Sequence, residues 1–284
     1  MNGRASAPAA GTVLNALANG TGSAFAIDLE TTATVSLAEE GGVTGEIDGA
    51  PGADTALIER CVELTVEEYA EADHALGGRV RTESEVPLAA GLKSSSAAAN
   101  ATVLATLDAL DAEIDRLEAC RLGVRAAREA GVTVTGAFDD ASASMLGGVT
   151  VTDNSADELL ANEAFERDVL VWSPPERAFS ADADVDACRK IAPIADVVGE
   201  LAMQGRYGVA MSINGFAFCG ALGFPTAPLV EALPECEGVS LSGTGPSYVA
   251  VGDRHALTEL RSEWEIRDGT TWLTTTRNEG ARRG

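Results

Sequence analysis

Residues 87–97 read PLAAGLKSSSA and bring a glycine turn, a lysine and three consecutive serines to the head of an alanine-rich stretch. Lys93 is one of two lysines in the chain, with Lys190. Glycine lets the backbone approach an anion closely. The first turn of a helix leaves N–H groups without intrahelical partners, and the helix dipole adds positive potential there. Serine hydroxyls supply further donors, and one of them is suited to ligate Mg²⁺. An ordinary serine cap accounts for one serine, but not for three beside a retained lysine. The stretch is not the common P-loop GxxxxGK[ST], because leucine precedes Lys93 and no second glycine stands at the required spacing. The residues point to a phosphate cradle over Gly91, Leu92, Lys93, Ser94, Ser95, Ser96 and Ala97.

Two further constellations could join it. In 136-GAFDDASASMLGG-148, Asp139 and Asp140 follow a glycine and precede a small-residue helix. Either carboxylate could serve a hydroxyl as base, and an Asp pair also makes a plain helix cap. In 242-SGTGPS-247, the turn containing Gly243, Thr244 and Gly245 either packs against phosphates or makes a tight connection into a strand. The cysteines at 61, 120, 188, 219 and 236 show no CxxC pair and no clustering with histidine, so they read as reduced core residues.

These residues must be carried by regular elements. Residues 23–38 predict one or two strands, 55–72 a helix, and 79–87 a strand that delivers the chain into the lysine motif at a proline. Helices are expected over 94–111 and 114–130, strands over 148–153 and 168–173, and a short helix between those strands. Further helices are expected near 195–204, 206–219, 226–233 and 256–261, with strands near 238–242 and 247–252. The alternation predicts an α+β or α/β protein with a boundary near 150–165 and a cleft between two lobes.

Composition narrows the partners. The formal net charge is -24, from 44 acidic and 20 basic residues spread along the whole chain. Such a surface repels nucleic-acid phosphates and anionic lipid, so neither partner is expected. The near absence of lysine amid abundant carboxylates predicts a halophilic protein, in which salt screens the self-repulsion. The N-terminus lacks a signal-like apolar run and no segment approaches a membrane span, so the expected location is the cytoplasm.

In order and spacing, the three motifs resemble the GHMP kinases, small-molecule kinases named for galactose, homoserine, mevalonate and phosphomevalonate. The family's phosphate loop is similar to Pro87, Gly91, Leu92, Ser94, Ser95 and Ala97, which implies nucleotide contacts that take in Ala89 and Ala90 as well, and its third motif is similar to Ser242-Gly243-Thr244-Gly245. Its first motif region is similar to residues 7–35. The resemblance implies a two-lobed α+β fold, with an N-terminal α/β domain of the ribosomal-protein type over 1–155 and a C-terminal ferredoxin-like α+β domain over 156–284. It implies ATP and Mg²⁺ as cofactors. Counting back from the Gly147-Gly148 pair places the family's base at Asp140, with Asp139 an alternative, and its magnesium-binding glutamate eleven residues earlier at Glu129, beside Ser95.

The lysine in Gly-Leu-Lys-Ser-Ser-Ser-Ala, the Gly11-Thr12-x-x-Asn15-Ala16 run and Ala-Phe-Asp-Asp are most similar to the archaeal shikimate kinases of this family. That resemblance implies phosphorylation of the shikimate 3-hydroxyl by ATP, with Lys93 offsetting charge that builds in transfer. The alternatives are another acceptor, such as homoserine or mevalonate, or a non-catalytic nucleotide-binding protein. Homoserine kinases usually carry asparagine where this chain has Asp140, and the lysine found after the first Pro-Gly of the mevalonate branch is missing from 8-PAAGTVL-14. The acceptor's carboxylate needs a local cation, for which Arg4, Arg79, Arg81 and Arg206 are among the candidates.

Overall fold

A computed structural model describes residues 1–39, 41–71, 76–86, 91–133, 135–176 and 183–284. The chain opens with two long antiparallel strands, β1 (Asn2–Leu14) and β2 (Thr21–Ala38). From Ala5 to Leu14 every residue of β1 is buried, which explains its small side chains: both faces of the strand are covered. Pro8 lies where the β1–β2 register shifts, the position at which a central strand tolerates the missing N–H. There follow β3 (Val43–Ile47), α1 (Ala56–Tyr69), β4 (Gly77–Ser84), α2 (Ser94–Ala109), α3 (Arg116–Glu129), α4 (Phe138–Leu146), β5 (Val149–Asp153) and β6 (Glu158–Glu163).

These strands form one sheet in the order β1-β2-β4-β3. β2 is long enough to pair β4 through Thr31–Ala38 and β5 through Thr21–Phe25, and β6 extends β5. The expected short helix between residues 153 and 168 is instead strand β6. The acidic run ELLANE alternates exposed and half-buried positions with period two, and β5 gives it an edge to pair with.

The second lobe begins with β7 (Asp168–Ser173), followed by α5 (Val185–Lys190), α6 (Ala192–Met203), α7 (Tyr207–Leu222), α8 (Ala227–Ala232), β8 (Gly238–Leu241), β9 (Tyr248–Gly252), α9 (Arg254–Trp264) and β10 (Thr270–Thr275). Its antiparallel sheet runs β10-β7-β9-β8. A terminal strand, β11 (Arg282–Arg283), returns to pair with β1. The sheets therefore change between Glu163 and Asp168, and the fold is the expected two-lobed α+β arrangement. Among the described residues no helix is long and apolar enough to cross a membrane.

α2 is the element that positions the lysine motif. It carries no charge before Asp108 and is buried on nearly all sides, as expected of a helix without a polar face. It lies so close to β1 that a Cβ on Gly3 would fall 2.0 Å from the Ala105 carbonyl oxygen and 2.5 Å from the Ala109 nitrogen. Those neighbours are backbone, so relief requires moving the helix. Gly3→Ala is expected to destabilise the protein by about 1–3 kcal/mol through overpacking, read as a lowered denaturant midpoint at constant m-value.

Candidate active site

The phosphate-loop motif enters α2 through residues held in tight backbone conformations. Gly91 has φ +75, and a Cβ there would lie 2.6 Å from the Ser242 carbonyl oxygen and 2.8 Å from that of Gly245. Ser242 Oγ donates to the Gly91 carbonyl at 2.8 Å, so the second lobe's glycine turn sits directly on the loop. Leu92 is buried and its carbonyl accepts from Ala10 N–H of β1. Lys93 takes the left-handed conformation at the α2 N-cap, with φ 62. No side chain caps the helix and no acid stands in its first turn. Ser94 and Ser96 are buried and Ser95 is exposed. This open N-terminus fits an anion such as a nucleotide phosphate. Pro87, Ala89 and Ala90 lie outside the described residues.

The Lys93 side chain crosses the cleft. Its Nζ is 2.7 Å from Asp140 Oδ1, in a pair whose side chains are only 8% and 12% exposed. On the other side, a Cβ on Gly243 would fall 3.0 Å from the same Nζ. Gly243 is fixed at both backbone groups, its N–H donating to Thr12 Oγ1 at 2.8 Å and its carbonyl accepting from Asn15 Nδ2 at 2.8 Å. Asn15 N–H in turn donates to Asn214 Oδ1, and Asn214 Nδ2 to Ser240 Oγ, tying the end of β1 to α7 and β8. Thr12 and Asn15 stand in the Gly-Thr-x-x-Asn-Ala run, but nothing in the sequence tells that their partner is the third motif.

Asp139 and Asp140 occupy the first turn of α4, and the fold gives them different surroundings. Asp140 faces Lys93. Burial, and next the neighbouring Asp139 charge, push its carboxyl up to about 7 against the opposing pull of Lys93. Asp139 is turned inwards: its Oδ1 accepts from Asn154 Nδ2 at 2.7 Å, and its side chain fills the space over Gly22, where a Cβ would lie 2.5 Å from Asp139 Cβ. Asn100 Nδ2 of α2 donates to the Ala141 carbonyl at 2.9 Å, fixing the two helices beside the ion pair.

Glu129 is not brought into this group. At the end of α3 it pairs with Arg60 at 2.6 Å and Arg125 at 3.8 Å, and its side chain is 41% exposed. Among the described residues no hydrogen bond or ion pair links it to Ser95 or Asp140, and no three acidic, histidine or cysteine side chains converge as a metal site. Mg²⁺ keeps several waters and leans on nucleotide phosphates more than on a protein cage, and the exposed Ser95 hydroxyl is the donor of this group that suits it. Of the arginines named as carboxylate partners, Arg81 is paired with Glu83 of β4, Glu46 of β3 and Asp48 just past β3, while Arg4, Arg79 and Arg206 are exposed.

Residues 56–148 match the family model of the GHMP kinases N terminal domain. The chain is 63% identical to a curated shikimate kinase of Halobacterium salinarum over 99% of both chains, and 52% identical to one of Methanosarcina mazei over 99% of this chain and 96% of the other. The chain belongs to the GHMP kinases. Its fold agrees with that of the mevalonate kinase of Methanococcus jannaschii, at TM-score 0.77 and 15% identity over 96% of this chain and 98% of the other.

If Asp140 is the base, its carboxyl, raised to about 7, works only when ionised, so activity is expected to fall on the acid side. The expected acid limb of kcat/KM is centred near pH 7, with about a tenfold loss per pH unit further down. Rate measurements from pH 5 to 9 check it. A limb near the ordinary aspartate range of about 4 would overturn the raised carboxyl at Asp140.

Proposed function

We propose that the protein transfers the γ-phosphoryl group of ATP to the 3-hydroxyl of shikimate. The observation that carries this reading is the buried Lys93–Asp140 pair at the head of α2. It sets a base beside a cation and an anion cradle. The acceptor is supported by the extent of the likeness to archaeal shikimate kinases, which runs through the whole chain.

Phosphoryl transfer asks for positioning and charge neutralisation more than for covalent chemistry. The N–H groups opening α2 and the hydroxyls of Ser94, Ser95 and Ser96 would hold the nucleotide phosphates, with Gly243, Thr244 and Gly245 closing over them from the second lobe. Ser95 would be a ligand for Mg²⁺, which when bound would supply charge neutralisation at the phosphates. Glu129 could join only by leaving Arg60 and Arg125. Lys93 would shift between Asp140 and the developing charge on the transferred group. Asp140 would orient the 3-hydroxyl and take its proton. Residues 1–155 would supply the nucleotide site, and 156–284 the opposite wall of the acceptor pocket. The dispersed negative charge suits work in concentrated salt.

ADP release with shikimate, homoserine and mevalonate in parallel, in molar KCl with Mg²⁺ and ATP, tests the reading. Turnover with shikimate alone is expected, and turnover with another acceptor overturns the choice of substrate. Asp140→Asn is expected to lower kcat by about 10²–10⁴-fold, the usual contribution of a positioned base, while ATP affinity stays within a few fold. Loss of nucleotide binding in that variant would make Asp140 a structural residue.

A further inference from the structure

α4 begins without a cap of its own. Its N-cap is Ala137, left-handed at φ 51, which has no side-chain acceptor for the exposed N–H groups of the first turn. One of those groups belongs to Asp139, and its partner comes from fifteen residues further on: Asp139 N–H donates to Asn154 Oδ1 at 3.1 Å. A main-chain N–H can only donate, so the oxygen of the Asn154 amide must face it. The amide nitrogen is thereby aimed at Asp139 Oδ1, 2.7 Å away. One side chain thus grips both the backbone and the carboxylate of the same aspartate.

Asn154 is itself held firmly. Its N–H donates to the Gly20 carbonyl, its carbonyl accepts from Arg128 of α3, and Thr152 Oγ1 donates to its Oδ1 at 2.8 Å. Arg128 is anchored through a fork on Asp157, at 2.6 and 2.7 Å. Gly20, just ahead of β2, and Arg128 of α3 fix the Asn154 main chain, Thr152 of β5 fixes its side-chain amide, and the amide fixes the first turn of α4.

We propose that Asn154 is a positioning residue for phosphoryl transfer: it caps α4 from outside and turns Asp139 inwards, so that the next residue, Asp140, is the one presented to Lys93. The proposal rests on the reading of Asp140 as the base. It accounts for an otherwise arbitrary choice between two adjacent carboxylates.

The test exchanges the partners. Asn154→Asp keeps the shape of the side chain, removes its donor and opposes two carboxylates. The expected result is a kcat lowered about 50-fold with KM for ATP within about threefold, the cost of a displaced catalytic group in a site that still binds. Adding Asp139→Asn restores a donor–acceptor pair with its direction reversed, and kcat is expected to recover at least about tenfold over Asn154→Asp alone. No recovery, or wild-type kcat in Asn154→Asp, overturns the proposal.

Amide hydrogen exchange gives a readout independent of turnover. In Asn154→Ala the Asp139 amide is expected to exchange at least about tenfold faster, while the Ala141 amide, bonded to the Ala137 carbonyl, stays protected. Equal exchange of Asp139 in both proteins overturns the clamp. A wild-type chain inactive on every acceptor would sink the proposed function, and the exchange experiment would still decide on Asn154.

Discussion

The contact on which the rest of this site depends is the ion pair of Lys93 and Asp140. Two nearly buried charges must be desolvated, and their attraction offsets that cost only when the geometry is good and each has further support. The support comes from two helix starts aimed at one place. α2 and α4 both begin at a left-handed residue, Lys93 and Ala137, and neither residue caps its helix. The positive end of the α4 dipole favours the carboxylates in its first turn. The first turn of α2 carries no acid of its own, so the same potential there suits an outside anion. One physical device thus serves an internal carboxylate in one helix and, in the proposed function, an external phosphate in the other.

Holding two helix starts in register takes close packing rather than large side chains. Gly3 lets α2 settle on β1, Gly22 leaves room for Asp139 beneath α4, and Gly91 lets the Ser242–Gly245 turn meet the phosphate loop backbone to backbone. Asn100 then bonds α2 to α4 directly. The Thr12–Gly243–Asn15 bonds complete the link, because β1 touches both the lysine loop and the second lobe. A shift of either lobe would be felt at Lys93, whose ammonium lies between Asp140 and Gly243.

What could be read beforehand followed from periodicity and from local chemistry. α1 and α3 announce themselves by helical spacing, α2 by its alanine-rich run, and β5, β7, β8 and β9 by short β-branched runs between turns. β1 was hidden, since its run of small residues has no alternation to display when both faces are buried. β6 departs from the expected short helix because its period of two finds an edge on β5, a partner that the local sequence does not reveal. The lysine motif was legible as an anion site because lysine is so rare in this chain. Glu129 shows the limit of counting: a spacing along the chain fixes a place on a helix, but here Glu129 and Arg125, one turn apart, both turn towards acidic and basic partners on α1. Asn154 could not have been found at all, since one asparagine in a turn has no pattern and its partner stands fifteen residues earlier.

The acidic surface sharpens what the cleft must do alone. A chain of net charge -24 repels anions at long range, yet its proposed substrates are anions. Many of its arginines are already committed to carboxylates: Arg60 and Arg125 to glutamates of α1, Arg128 to Asp157, Arg254 to Asp168, and Arg277 to Glu30. In molar salt the screening length is about 3 Å, which removes both the general repulsion and any general steering. Only contacts at hydrogen-bond distance survive such screening. The proposed anion site of helix N–H groups, serine hydroxyls and one nearly buried lysine is of that kind, so the same chemistry that makes the surface tolerable in salt would leave the recognition of phosphate intact.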